Sequence, residues 1–220
     1  MGLLDLFSKK PTKPYRDESL NHLYELLFCD NLRLYQKPTP PTEYPWPVLL
    51  AEAPAPAVLL AIATDDALES RPRLLACRRL TALGEPTGPL TLLGVVVEVA
   101  LLEGLDVLAA FVDGRARYFN QAGKLLVWET STAESEQLIA LLLAAGRQTV
   151  SQIGPWDKQR LPPPAKGLVR MTFLVSDGLY FGQGPFEVLQ QDPLGAPVIG
   201  AATQLMIYLT EQGLKQSTAQ

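Results

Sequence analysis

The sequence predicts an α+β protein. An antiparallel sheet, made of a four-strand meander and a second hairpin, is covered by helices and preceded by a helical, proline-rich N-terminal part. Three observations lead there. First, between Leu93 and Glu129 the dipeptides Glu103-Gly104 and Asp113-Gly114 interrupt runs rich in Val, Leu, Phe and Tyr, and a further break at 120–123 precedes Lys124-Leu125-Leu126-Val127-Trp128. Asp-Gly between apolar runs signals a hairpin, because both residues tolerate the positive φ of a tight turn. Second, Ser176-Asp177-Gly178 repeats that signal between Val169–Val175 and Leu179–Gln183. Third, apolar residues recur at helical spacing both before the meander and after each group of strands.

In chain order, Gly2 to Phe7 is a short amphipathic piece, too short to be stable alone, which docks on its own domain or on a partner. A polar spacer follows. Asp17 opens a helix whose stripe is Leu20, Leu23, Tyr24, Leu27 and Phe28, closed by Asp30-Asn31. Seven prolines between 37 and 56 exclude helix and strand interiors, so Tyr44 and Trp46 are expected to pin an extended stretch to the core. A polyproline ligand for a partner domain is the other reading of that stretch. Residues 57–63 and 71–83 form a helical pair, with Ser70 as cap, Pro72 in the first turn, Gly84 as stop, and Leu74, Cys77, Leu80 and Leu83 facing inward. Arg71, Arg73, Arg78 and Arg79 read as a solvated face near Asp65, Asp66 and Glu69, with a phosphate or acidic-partner site as the other reading.

The turn cluster at 84–89 precedes the sheet. Leu105 to Val112 is apolar on both parities, so that strand is interior, and Arg115, Arg117 and Phe119 share one parity on the next. Ser131 and Glu134 have capping-box spacing ahead of a helix carrying Leu138, Ile139, Leu141, Leu142 and Leu143, which Gly146 ends or kinks. Residues 154–166 form a long loop, Gly182 and Gly184 mark a bulge or a sheet edge, and the last helix spans 196–212 with Gly213 ending it. The expected organisation is a flexible segment at 1–14, a helical region at 15–88 packed on the sheet, a sheet domain at 89–213 and a disordered tail at 214–220. The order β-β-β-β-α-β-β-α loosely resembles profilin-like and roadblock-type sandwich folds, which implies a dimerising adaptor.

The chain holds 220 residues, 47 % hydrophobic and 19 % charged, with a net charge of -4. An acidic balance argues against a nucleic-acid partner. No apolar run is long enough to span a membrane, and the N-terminus carries no secretory pattern, so the expectation is a cytoplasmic protein. Cys29 and Cys77, placed on predicted helices among apolar neighbours, read as reduced core thiols. His22, the one histidine, lies off its helix stripe and has no Cys or His at metal-ligand spacing. No metal, cofactor or catalytic residue is assigned. Asp113 and Asp177 are explained as turn residues, and Asp106, on an apolar strand, is expected to pair with Arg115 or Arg117.

Candidates for an interface or ligand site are Trp156, Asp157, Lys158 and Arg160 on the long loop, with Asp177, Tyr180 and Gln183 on the neighbouring hairpin. Aromatic and arginine side chains on a loop beside a sheet edge have the character of an interaction hot spot. The expected function is a non-enzymatic protein-interaction or adaptor protein with a protein partner, a homodimer through a sheet edge being one such arrangement. The alternative is a small-ligand binder or histidine-independent enzyme using a pocket beside the 154–166 loop.

Overall fold

The structure, a computed structural model, describes residues 13–36 and 41–218. The expected docking of Gly2 to Phe7 falls outside them. Six strands form one antiparallel sheet: β1 Leu92–Ala100, β2 Leu105–Phe111, β3 Ala116–Phe119, β4 Leu125–Trp128, β5 Leu168–Val175 and β6 Gly178–Pro185. Their spatial order is β4-β3-β2-β1-β5-β6. The meander therefore lies in sequence order, and the second hairpin adds to the far side of β1, where Val96 faces Thr172 across the pair.

Strand alternation divides the core between the two faces. Val96, Val107, Ala109, Phe111 and Phe119 point toward the N-terminal helices, whereas Val95, Val97, Leu108, Ala110 and Phe173 point toward two long helices from the C-terminal half. The first layer comprises α1 Glu18–Leu26, a 3-10 turn Leu32–Tyr35, α2 Trp46–Leu50, α3 Pro56–Thr64 and α4 Ser70–Leu83. The second comprises α5 Ala133–Val150 and α7 Gly195–Thr218, with the short α6 Phe186–Leu189 beside β6. Both faces of β2 are covered, as its two-parity apolar pattern requires.

Several expectations are corrected. Cys29 is not helical: α1 ends at Leu26, and Cys29 lies beyond it at φ 50. It and Cys77 are nonetheless free and buried, and burial pushes both thiols up to about 11, leaving them protonated and poorly nucleophilic at neutral pH. The proline-rich stretch is not wholly extended, because Pro47 falls in the first turn of α2, where the missing N–H costs nothing. Trp46 there stacks on Tyr35 with ring centroids 5.6 Å apart, but Tyr44 is exposed. Leu23 and Leu83 are also exposed. The α5 cap is Thr132 with Ser135, one residue later than Ser131 with Glu134. Gly213 does not end α7, which continues to Thr218, so the expected tail is largely helix.

The arginines of α4 are not a solvated face. Arg79 donates to the carbonyls of Leu49 and Ala51 at the end of α2, where helical carbonyls have no partner of their own. Arg73 donates to the Ala63 carbonyl at the end of α3 and pairs with Asp66 at 2.7 Å, and Arg78 donates to the Val175 carbonyl. These guanidiniums fasten helix ends and a strand end to α4. Asp106 does not pair with Arg115 or Arg117 either. It accepts from the Tyr118 hydroxyl at 3.0 Å and from the Gln121 N–H, because its parity places it with Tyr118 on the opposite face from the arginines.

Gly146 neither ends nor kinks α5. A Cβ there would lie 2.9 Å from Val95 Cγ2 and 3.0 Å from Leu92 Cδ2, so the missing side chain lets the helix approach the sheet. Gly146→Val is expected to cost about 3 kcal/mol by overpacking, since its helix propensity offsets little. Urea denaturation of the variant checks this, and an unchanged midpoint would refute the close-packing argument.

Candidate functional site

The 154–166 loop leaves α5 on one side of the sheet, crosses the β6 edge and reaches α1 on the other side. The Trp156 N–H donates to the Leu179 carbonyl at 2.6 Å, an isolated bridge to the edge strand. Its indole packs edge-on against Phe181 with centroids 5.0 Å apart, its Nε1 donates to the Gln159 carbonyl, and the Lys158 ammonium lies 5.5 Å from the ring centroid. Arg160 lies over the Phe28 ring at 3.8 Å, donates to Asp30 at 2.7 Å, and pairs with Glu25. Burial pulls its guanidinium down, but Asp30 and Glu25 outweigh that, and it stays above its ordinary range.

Beneath the loop runs a row of polar side chains fixed by strand register. Glu98 on β1 faces Arg170 on β5, which faces Gln183 on β6. Arg170 donates to Gln183 Oε1 at 2.9 Å, to the Leu161 carbonyl at 3.0 Å and to the Pro162 carbonyl. Its Nε is 3.8 Å from Glu98 Oε2. Glu98 is fully buried and accepts from the Tyr24 hydroxyl at 2.6 Å, while its Oε2 has no hydrogen-bond partner. Burial raises the Glu98 carboxyl, and Arg170 and the Tyr24 hydroxyl only partly offset this.

A carboxyl whose folded value lies above its unfolded one favours folding at low pH, and the contribution fades as pH rises through the folded value. The stability of the native chain relative to Glu98→Gln is therefore expected to fall as pH rises from about 4 upward. Urea titrations of both proteins at several pH values measure it. A difference that stays constant with pH contradicts the assignment.

Of the seven candidates, Arg160 and Gln183 belong to the system beneath and along the loop, and Trp156 and Lys158 to its outer turn. Asp157 is exposed. Asp177 and Tyr180 lie elsewhere: the Tyr180 hydroxyl donates to Asp177 at 2.9 Å at the hairpin tip, and the Tyr180 ring packs on the α5–α7 side. The seven residues therefore do not converge on one site, and those that meet are engaged in holding the loop down.

A different concavity lies on the N-terminal-helix side of β2, β3 and β4. Phe111, Phe119, Leu125 and Val127 floor a hollow of about 280 Å³, with Leu23, Leu26 and Leu27 of α1 along one wall. Arg71 from the first turn of α4, Arg115 from the β2–β3 turn and Arg117 from β3 line its mouth. Glu69 pairs with Arg71 at 3.2 Å and with Arg115 at 3.1 Å, Asp113 lies 3.4 Å from Arg115, and Glu129 pairs with Arg117 at 2.6 Å. Arg117 is pulled below its ordinary value by burial and by the Arg71 charge, with Glu129 opposing and Arg115 adding to the pull. The sequence showed the shared parity of Arg115, Arg117 and Phe119, but nothing in it brings Arg71 to them. That meeting depends on Asp113, which accepts from the Ser70 N–H at 2.7 Å and fixes α4 against the hairpin turn.

Among the described residues, no three His, Cys, Asp or Glu side chains gather at metal-binding distance, and no helix is long and apolar enough to cross a membrane. The molecule is an α+β protein with one antiparallel sheet between two helical layers. Comparison with family models, curated proteins and solved structures found no match.

Proposed function

We propose that this is a non-enzymatic protein-interaction module whose binding surface is the β4 side of the sheet. The observation that supports this reading is the asymmetry of the two edges. The β6 edge carries the Trp156 bridge, whereas among the described residues β4 pairs only with β3 and has an apolar hollow rimmed by arginines and carboxylates beside it. Val127, at the centre of β4, is half exposed. An unpaired edge next to a hollow is the arrangement that strand addition uses: main-chain hydrogen bonds supply affinity and the hollow supplies selectivity.

The test is affinity capture from the native host with the full chain and with Val127→Lys, alongside sizing of the purified protein. A stoichiometric partner that is lost with Val127→Lys supports the reading, as does a native dimer that the substitution splits. A partner retained by Val127→Lys, or a monomer with no partner, refutes it.

A further inference from the structure

Arg170 stands between a buried carboxyl and the 154–166 loop. Its Nε donates to Gln183 Oε1 at 2.9 Å, one terminal nitrogen to the Leu161 carbonyl at 3.0 Å, and the other to the Pro162 carbonyl. All three acceptors are uncharged. Glu98 Oε2 is 3.8 Å from the same Nε, beyond hydrogen-bond reach. For a guanidinium, a carboxylate is a stronger acceptor than a carbonyl, because both partners then carry charge. Burial also denies Glu98 water as an alternative partner. The Nε cannot turn to Glu98 while it serves Gln183, and the planar guanidinium moves as one body. Turning Nε toward Glu98 therefore carries both terminal nitrogens away from Leu161 and Pro162. Leu161 shares a small hollow with Thr172 and Phe181 beside β6, so this part of the loop covers the sheet there.

We propose that the Glu98 carboxyl is a pH-sensitive latch on the 161–166 part of the loop: uncharged, it leaves Arg170 to the Leu161 and Pro162 carbonyls, and ionised, it draws Arg170 toward β1 and loosens them. The groups that face Glu98 are Tyr24 and Glu25 from α1, Tyr15 from the segment before it, Arg160 from the loop and Arg170 from β5. Val107, its neighbour across the pair on β2, carries no charge. Burial keeps both tyrosine hydroxyls protonated, and the two guanidiniums remain cations. Glu25 and Asp30 act with the opposite sign, since protonating them as pH falls weakens their pairs with Arg160. Glu98 acts as pH rises. Its burial displaces the change upward from the ordinary glutamate range, with Arg170 and the Tyr24 hydroxyl opposing.

An NMR titration of the full chain and of Glu98→Gln, from about pH 4 to about pH 9, tests this. In the native chain the Leu161 methyls and the Gln183 side-chain amide should shift along the same curve as the Glu98 carboxyl carbon. In Glu98→Gln they should stay in place. Trypsin at about pH 8 should cut after Lys166 about tenfold faster in the native chain than in Glu98→Gln, each rate being divided by that of cleavage after Arg147 in α5, which follows opening of the whole fold. Tyr24→Phe is a second variant. It removes a donor that favours the ionised carboxyl, so the midpoints of Glu98 and of the loop signals should move together to higher pH. Loop signals that do not follow the Glu98 carbon, or that titrate equally in Glu98→Gln, overturn the latch. So do equal relative cleavage, loop signals that stay put in Tyr24→Phe while the carboxyl moves, and a Glu98 carbon that does not titrate in this range.

Discussion

Arg170→Met is expected to destabilise the protein by about 3–5 kcal/mol, the usual cost of removing one member of a buried ion pair. Arg170 is 3 % exposed and stands between the fully buried Glu98 and the 154–166 loop. Methionine fills much of the same space, so the loss comes from chemistry rather than a void. Glu98 loses its nearest cation, and the Leu161 and Pro162 carbonyls lose their donor. Part of the cost is escaped if Glu98 takes up a proton, which its raised carboxyl already favours. The deficit should therefore be smaller at low pH than at neutral pH. Urea unfolding at both pH values measures this, and a loss under about 1 kcal/mol at neutral pH would show that the row contributes little beyond packing.

Arg160→Ala should cost less, about 2–3 kcal/mol, and should open the loop. Its partners differ from those of Arg170 in one respect that sets the magnitude. Glu25 and Asp30 keep 39 % and 19 % of their side-chain surface in water, so they are not stranded when the guanidinium leaves. What disappears is a charge-assisted bond to each and the contact over Phe28. Limited proteolysis after Lys158 is the direct readout, with faster cleavage expected in the variant. Combining Arg160→Ala with Arg170→Met should give a loss that differs from the sum by roughly 0.5–3 kcal/mol, since both hold the same segment. Strict additivity, or cleavage at the native rate, would show that the loop is held by Trp156 alone.

These two arginines explain how much of the molecule was legible beforehand. Asp113-Gly114 and Asp177-Gly178 announced their turns because tight turns demand particular residues locally. The apolar character of both parities from Leu105 to Val112 announced a strand covered on both faces. Arg160 and Gln183 stand out in the sequence as candidates for an interface or ligand site, and in the structure both belong to the contacts that hold the long loop. Their engagement could not be read, because Arg160 meets Asp30 across 130 positions and Arg170 meets Glu98 through strand register. The arginines of α4 were misread for the same reason: Arg79 binds carbonyls near the end of α2, and no side-chain pattern marks where a distant helix stops. The one signal for the hollow was the common parity of Arg115, Arg117 and Phe119.

By itself the sequence determined the elements of this protein: four strands in order, a second hairpin, and long amphipathic helices after each. Those depend on turn chemistry and on the period of apolar residues, which act over a few neighbours. Only the tertiary structure decided that β5 pairs with β1, that the long loop is fastened rather than free, and that Arg71 joins Arg115 and Arg117 beside β4. Such contacts join residues far apart in the chain, and their energies exist only once the layers have packed.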